Sequence, residues 1–221
     1  EGKTPEEYVE YWNKRDVEDF AAFDIEFDFF YKTSSSENRE FVQDVFKKLE
    51  QAGHIYENEI IQFYCNNDKK FLPDRYVVGT CPYCKASEQY SDLCEKCGRV
   101  PAEIDNPHCS ICGETPVRKK SEHYFFKLKN FSDKLTEYLN DNQNLQKDVK
   151  KYVQNWIKEG LVDWDITRDI SWGVPVPIDG ASEKVFYGWF DNHLAYISSA
   201  IKFLNDNGKD GKTFWNESDI Y

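Results

Sequence analysis

Six of the seven cysteines in this 221-residue chain fall in three C-x-x-C pairs, Cys81/Cys84, Cys94/Cys97 and Cys109/Cys112, within one central stretch. A C-x-x-C turn sets two sulfurs side by side and so offers two corners of a tetrahedron to one ion. Only the nine residues 85–93 separate the first pair from the second, enough to fold back and short enough to keep the site local. Cys81, Cys84, Cys94 and Cys97 are therefore expected to hold one structural zinc, the inner site. A redox C-x-x-C normally occurs singly at a helix start.

Metal is the better reading than disulfides because of where such a chain would reside. Its first residues lack the basic-then-apolar pattern of a signal peptide. No apolar run approaches the roughly twenty residues needed to span a bilayer. The sequence reads as cytoplasmic with no membrane partner, and cytosolic disulfides are rare.

The third pair, Cys109/Cys112, needs two more ligands, and Cys65 is the one cysteine left. Asp68 lies three residues after Cys65 and copies the knuckle spacing with a carboxylate, an accepted zinc ligand. His108 and His123 are rivals for the fourth position. Asp68 is preferred because it alone keeps the spacing. An outer zinc on Cys65, Asp68, Cys109 and Cys112 would then enclose the inner site in sequence. Each ion would contribute folding free energy to a segment poor in apolar side chains.

Elsewhere the chain can bury a real core, with 40% hydrophobic and 16% aromatic residues. The formal net charge of −12 argues against a freestanding nucleic-acid binder, since phosphate affinity comes mainly from clustered cations. The run Arg118-Lys119-Lys120 is the exception and reads more simply as a solvated surface. The chain starts without methionine and contains none, which suggests an excised internal segment.

Local signals place the motifs. Thr4-Pro5-Glu6-Glu7 predicts a capped helix, with Asp16 capping a second short one. Phe27, Phe29 and Phe30 suggest an extended stretch. Ser34 to Glu37 opens a helix with Phe41, Val42, Val45, Phe46 and Leu49 on one face. Short strands are expected at Ile60 to Tyr64, Tyr76 to Val78 and Tyr124 to Leu128, with helices at Leu135 to Leu139 and Leu145 to Ile157. Near the end, a strand from Val185 to Phe190 should lead into a helix capped by Asp191 or Asn192, the strand-then-helix unit of an α/β sheet.

Phe71-Leu72-Pro73-Asp74-Arg75, Gly79-Thr80-Cys81-Pro82-Tyr83-Cys84, Ser121-Glu122-His123-Tyr124-Phe125-Phe126, Ile166-Thr167-Arg168-Asp169, Trp172-Gly173-Val174-Pro175-Val176-Pro177 and Tyr187-Gly188-Trp189-Phe190-Asp191 follow one another in this order. In that order they resemble the methionyl-tRNA synthetases of the archaeal and eukaryotic-like kind. The resemblance covers nearly the whole chain. It implies an α/β fold, part of a class I Rossmann-type catalytic domain interrupted by a small zinc-knuckle insert. The implied parts are a helical piece of the catalytic domain at 1–52 and the insert at 53–117. Strand and helices returning to the core follow at 118–160, and a Rossmann-type half with the amino-acid pocket at 161–221.

The family activates methionine with ATP and magnesium and transfers it to the 3′ end of its tRNA. By resemblance, Trp189, Tyr196, Asn192 and His193 face the methionine side and Arg168 the ATP side. Physics agrees that an indole and a phenol can line a pocket for a thioether, and that an arginine can offset phosphate charge. The family usually reads Trp-Phe-Asp-Ala-Pro-Ile-Gly-Tyr where this chain has Trp189-Phe190-Asp191-Asn192-His193-Leu194-Ala195-Tyr196, so two wall positions become larger and polar. The His-x-Gly-His motif, the Lys-x-Ser-Lys-like loop and the anticodon domain are not in this sequence. The segment is accordingly expected to be inactive alone and to need the N- and C-terminal parts of the same polypeptide. The alternative is an independent zinc-knuckle module binding nucleic acid or protein.

Overall fold

The computed structural model describes residues 2–181 and 184–217. The chain divides into two compact units, one of Glu1–Tyr56 with Tyr124–Tyr221 and one of Glu57–His123. The sequence-based insert span of 53–117 differs from the second unit at both ends. Strands β1 (Ile55–Cys65) and β6 (Val117–Phe126) each run through a boundary, and a strand gives no composition change where one unit ends.

The first unit begins with α1 (Pro5–Ala21), whose cap is the reciprocal one expected from Thr4 and Glu7. Asp16 lies inside this single 17-residue helix and caps nothing. Continuous backbone bonding prevails over a weak stop signal there. Helix α2 (Ser36–Gln51) starts on Ser35, whose side chain accepts from the Asn38 N–H, and it buries Val42 and Phe46 completely. Those two form the core of the unit with Tyr124, Ile166, Val174, Val176, Phe186 and Phe190. Phe46 meets Tyr124 edge-on with centroids 5.9 Å apart, a favoured aromatic geometry.

The end of β6 pairs antiparallel with β7 (Trp164–Asp165), Phe125 opposite Asp165. Helices α3 (Ser132–Asp141) and α4 (Lys147–Glu159) lie between them in sequence. A two-stranded antiparallel ribbon of β8 (Thr167–Arg168) and β9 (Val185–Phe186) follows, with Thr167 opposite Phe186. The expected strand to Phe190 thus stops at Phe186. Helix α5 (Gly188–Asp206) takes over directly, capped by the backbone of Tyr187. Asp191 is consequently an interior helical residue, and neither it nor Asn192 is the cap. A buried contact joins α5 to α2, Ser198 donating to Asn38 Oδ1 at 2.9 Å. Helix α6 (Gly211–Glu217) closes on α5, where a Cβ at Gly211 would sit 2.6 Å from the Ile201 carbonyl oxygen.

In the second unit the end of β1 forms a hairpin with β2 (Lys70–Phe71), Cys65 facing Lys70. A three-stranded sheet runs β4-β3-β5, from β3 (Val77–Thr80), β4 (Gln89–Tyr90) and β5 (Asp105–Cys109). Gly79 sits where the register slips between β3 and β5. A Cβ there would come within 2.5 Å of the Asp105 carbonyl oxygen, so glycine is required. Cys65, Leu72, Val77, Ile104 and Cys109 make the small core. Two of these five are cysteines, which shows how little apolar surface the unit has to order itself. Among the described residues no helix is long and apolar enough to cross a membrane.

Candidate functional site

Four turns of one design carry the cysteine clusters. In three of them the first cysteine, at 81, 94 or 109, accepts from the N–H four residues on, at Lys85, Gly98 or Gly113, within 2.8–3.0 Å. Its own N–H donates to the carbonyl five residues on, at Ala86, Arg99 or Glu114. The residue four after each first cysteine has positive φ: 59° at Lys85, 69° at Gly98 and 79° at Gly113. The turn after Cys65 repeats the pattern with Lys69 at φ 52°, and there the Asp68 N–H donates to the Cys65 sulfur at 3.3 Å. The two glycines advertise this conformation in the sequence. Lys69 and Lys85 do not, and sequence reasoning missed them.

These turns converge in two groups, Cys81, Cys84, Cys94 and Cys97 in one and Cys65, Asp68, Cys109 and Cys112 in the other. Within each group the potential ligand atoms all lie within 4.8 Å of one another. Strand β3 relates them: Val77 at its start pairs with Cys109, and Cys81 follows its end. Cys84 and Cys94 sulfurs are 3.6 Å apart, and those of Cys81 and Cys97 3.9 Å. A tetrahedral thiolate site with Zn–S of about 2.3 Å has edges of about 3.8 Å. The outer group has a 3.4 Å contact between Cys65 and Cys112. The histidine rivals are elsewhere: His108 is 3.4 Å from Glu88, and the buried His123 meets Gln62.

Crowding decides the proton chemistry of these groups. The backbone N–H of Cys84 holds the Cys81 thiol down at about 7 against the opposing effect of burial. At Cys65 the Asp68 N–H also lowers the pKa, but burial, the Asp68 carboxylate and Cys112 together push it up to about 11. Asp68 is held below the usual carboxylate range by hydrogen bonds from Cys112 first, then Cys109 and Cys65. Four such groups cannot all ionise side by side, whereas a divalent cation among them would favour the ionised form of each. Both clusters could hold a metal ion.

The residues expected to face substrate are brought together only in part. Trp189, His193 and Tyr196 fall on one face of α5, at spacings of four and three residues. Trp189 stacks on His193 at 5.5 Å and 28°, and Trp189 and Tyr196 are 59% and 75% exposed. Asn192 lines instead a cavity of about 210 Å³ with Asp191, Trp172, Phe186 and the Thr33–Ser35 loop. Arg168, on β8, is held by Asp165 Oδ2 at 3.0 Å and lies 4.0 Å over the Tyr187 ring.

A family model described as class I tRNA synthetases (M) matches residues 1–221. The chain belongs to the methionyl-tRNA synthetase family. It is 44% identical over its full length to a methionine–tRNA ligase of Methanobrevibacter smithii. To that of Methanocaldococcus jannaschii it is 46% identical over 99% of the chain. It spans about a third of the length of these curated synthetase relatives, 34% and 33%. Among solved structures, a Mycobacterium tuberculosis methionyl-tRNA synthetase bound by methionyl-adenylate matches 88% of the chain with a TM-score of 0.57. At 21% identity that likeness shows the fold: a mixed α/β fold matching part of a class I synthetase catalytic domain.

Proposed function

We propose that this chain serves, within a longer polypeptide, the activation of methionine by ATP and its transfer to tRNA. The observation that carries the reading is the family match across all 221 residues, joined to two convergent four-ligand clusters. Both clusters would hold zinc in a structural role, since four protein ligands leave no open position for chemistry. The thiolates and the Asp68 carboxylate would bring zinc's binding free energy to a unit whose apolar core is small. The segment 53–117 acts as the zinc-knuckle insert, 1–52 and 118–160 as adjoining parts of the catalytic domain, and 161–221 as the half nearest the amino acid. The exposed face of Trp189, His193 and Tyr196 would meet methionine, with Asn192 nearby and Arg168 on the ATP side.

Methionine-dependent exchange of pyrophosphate into ATP by the full-length polypeptide tests this reading. Exchange is expected, with kcat/KM for methionine falling in Trp189→Ala. A variant indistinguishable from wild type would remove Trp189 from the pocket, and no exchange at all would overturn the activity. The metal part is tested separately by native mass spectrometry. Two ions are expected, with Cys94→Ser losing the inner one and keeping the outer.

A further inference from the structure

The two cysteine clusters differ in what solvent can reach. In the inner group Cys84 is exposed, while Cys81 and Cys94 are buried and Cys97 is half-buried. In the outer group Cys65 and Cys109 are buried and Cys112 is half-buried. The fourth outer ligand, Asp68, is a carboxylate, which peroxides do not oxidise.

Cys84 also has the neighbours of a reactive thiol. Beside it in the turn is Tyr83, exposed, with the Arg99 guanidinium 5.4 Å over the ring. Cysteine oxidation is selective for accessible sulfurs in electropositive surroundings. Behind Cys84 lies the wholly buried Cys94, its sulfur 3.6 Å away and held by a 3.4 Å contact to Gln89 Oε1. Redox-sensing thiols share this arrangement, an accessible sulfur next to a second one that resolves it.

We propose that Cys84 is an oxidation site and Cys94 its resolving partner, so that a peroxide opens the inner metal site and leaves the outer one closed. The inference rests on the reading that the inner cluster holds zinc. The Cys84 thiolate gives an electron pair to one peroxide oxygen, the O–O bond breaks, and a Cys84 sulfenic acid and hydroxide form. The Cys94 thiolate then attacks the Cys84 sulfur and displaces a second hydroxide, which leaves a disulfide. Two thiolates have lost two electrons and the peroxide has gained them. With two of four ligands gone, the affinity that held the ion is lost. The outer group has an equally close pair, Cys65 and Cys112 at 3.4 Å, but neither is exposed. Access, not spacing, separates the two sites.

Hydrogen peroxide added to the zinc-loaded full-length polypeptide tests the site. Native mass spectrometry counts the ions before and after, an indicator follows zinc release, and digests map the disulfides. One of two ions is expected to leave at least about tenfold faster than the other, with peptides joined through Cys84 and Cys94. A thiol reductant with added zinc should restore the second ion. Cys94→Ser, which keeps only the outer ion, should retain it under the same peroxide. An inner cluster empty before peroxide overturns the metal reading, and the inference with it. With two ions bound at the start, the inference alone is overturned if both stay, if both leave together, if Cys94→Ser loses its ion as fast as wild type loses its first, or if the disulfide joins any other pair. Should Cys94→Ser not fold, the wild-type disulfide map decides.

Discussion

Cys109 donates its thiol to Asp68 Oδ2 across 3.1 Å, joining residues 41 apart in sequence. The contact makes a carboxylate part of a group that otherwise consists of sulfur, and it ties the turn after Cys65 to the end of β5. The Asp68 carboxylate occupies the place that the second cysteine holds in the other three turns.

Asp68→Ala is therefore expected to lose the outer metal ion while keeping the inner one, so that native mass spectrometry finds one ion per chain. Asp68→Cys should keep two and hold the outer one more firmly under chelator, because thiolate is the softer ligand and completes a four-cysteine site. Equal retention by Asp68→Ala and wild type would show that the carboxylate is not a ligand.

The left-handed residue of each turn gives a second prediction. A side chain at positive φ costs about 1–2 kcal/mol, so Gly98→Ala and Gly113→Ala should each destabilise the Glu57–His123 unit by about 1 kcal/mol. Lys85→Gly runs the other way: it relieves strain and adds unfolded-state entropy, for a net gain of up to about 1 kcal/mol. Urea unfolding of the zinc-loaded protein, followed by release of zinc to an indicator, reads these differences.

The pairing of four turns into two groups was legible because C-x-x-C is a local geometry and its ligand chemistry is narrow. The carboxylate in the fourth turn was legible by spacing alone. What the sequence concealed was conformational: nothing in Lys69 or Lys85 announces positive φ, as glycine does at 98 and 113. The helix start at Gly188 was hidden for a related reason. Val185 to Phe190 is an apolar, aromatic run that suits a strand, and tertiary packing of Phe190 beneath α2 overrides that preference. Asp191 reads as a cap in sequence, so its burial could not be anticipated.

Asn38 supplies a third test. It is 1% exposed, donates to the Thr33 carbonyl at 2.9 Å and accepts from Ser198 at 2.9 Å. Asn38→Ala removes the acceptor of Ser198 in the α2–α5 contact, where Ser198 keeps only the Ala195 carbonyl at 3.3 Å, and removes the donor to the Thr33 carbonyl, at a cost of about 1–2 kcal/mol. Ser198→Ala should cost less, because the Asn38 amide keeps its bond to Thr33. A double variant no worse than Asn38→Ala would show that the two side chains act as one unit, read by a double-mutant cycle in urea.

The last prediction concerns pH. A carboxyl whose folded pKa is about 6 binds its proton more tightly than in the unfolded chain, where the value is about 3.9. The folded state therefore holds the extra proton between those values. Stability from this group is greatest below about pH 4, falls as pH rises through about 6 and is constant above. The whole effect amounts to about 2–3 kcal/mol, and roughly half of it is already lost at about pH 5. Asp191→Asn cannot ionise, so its stability relative to wild type should improve by about 1 kcal/mol between about pH 5 and about pH 8. Taking the difference between the two proteins cancels the titration of the metal ligands and surface carboxylates, which both share. A difference that stays flat across this range would mean that Asp191 is ionised and satisfied in the folded protein, and a falling one would mean that a cationic partner holds it charged.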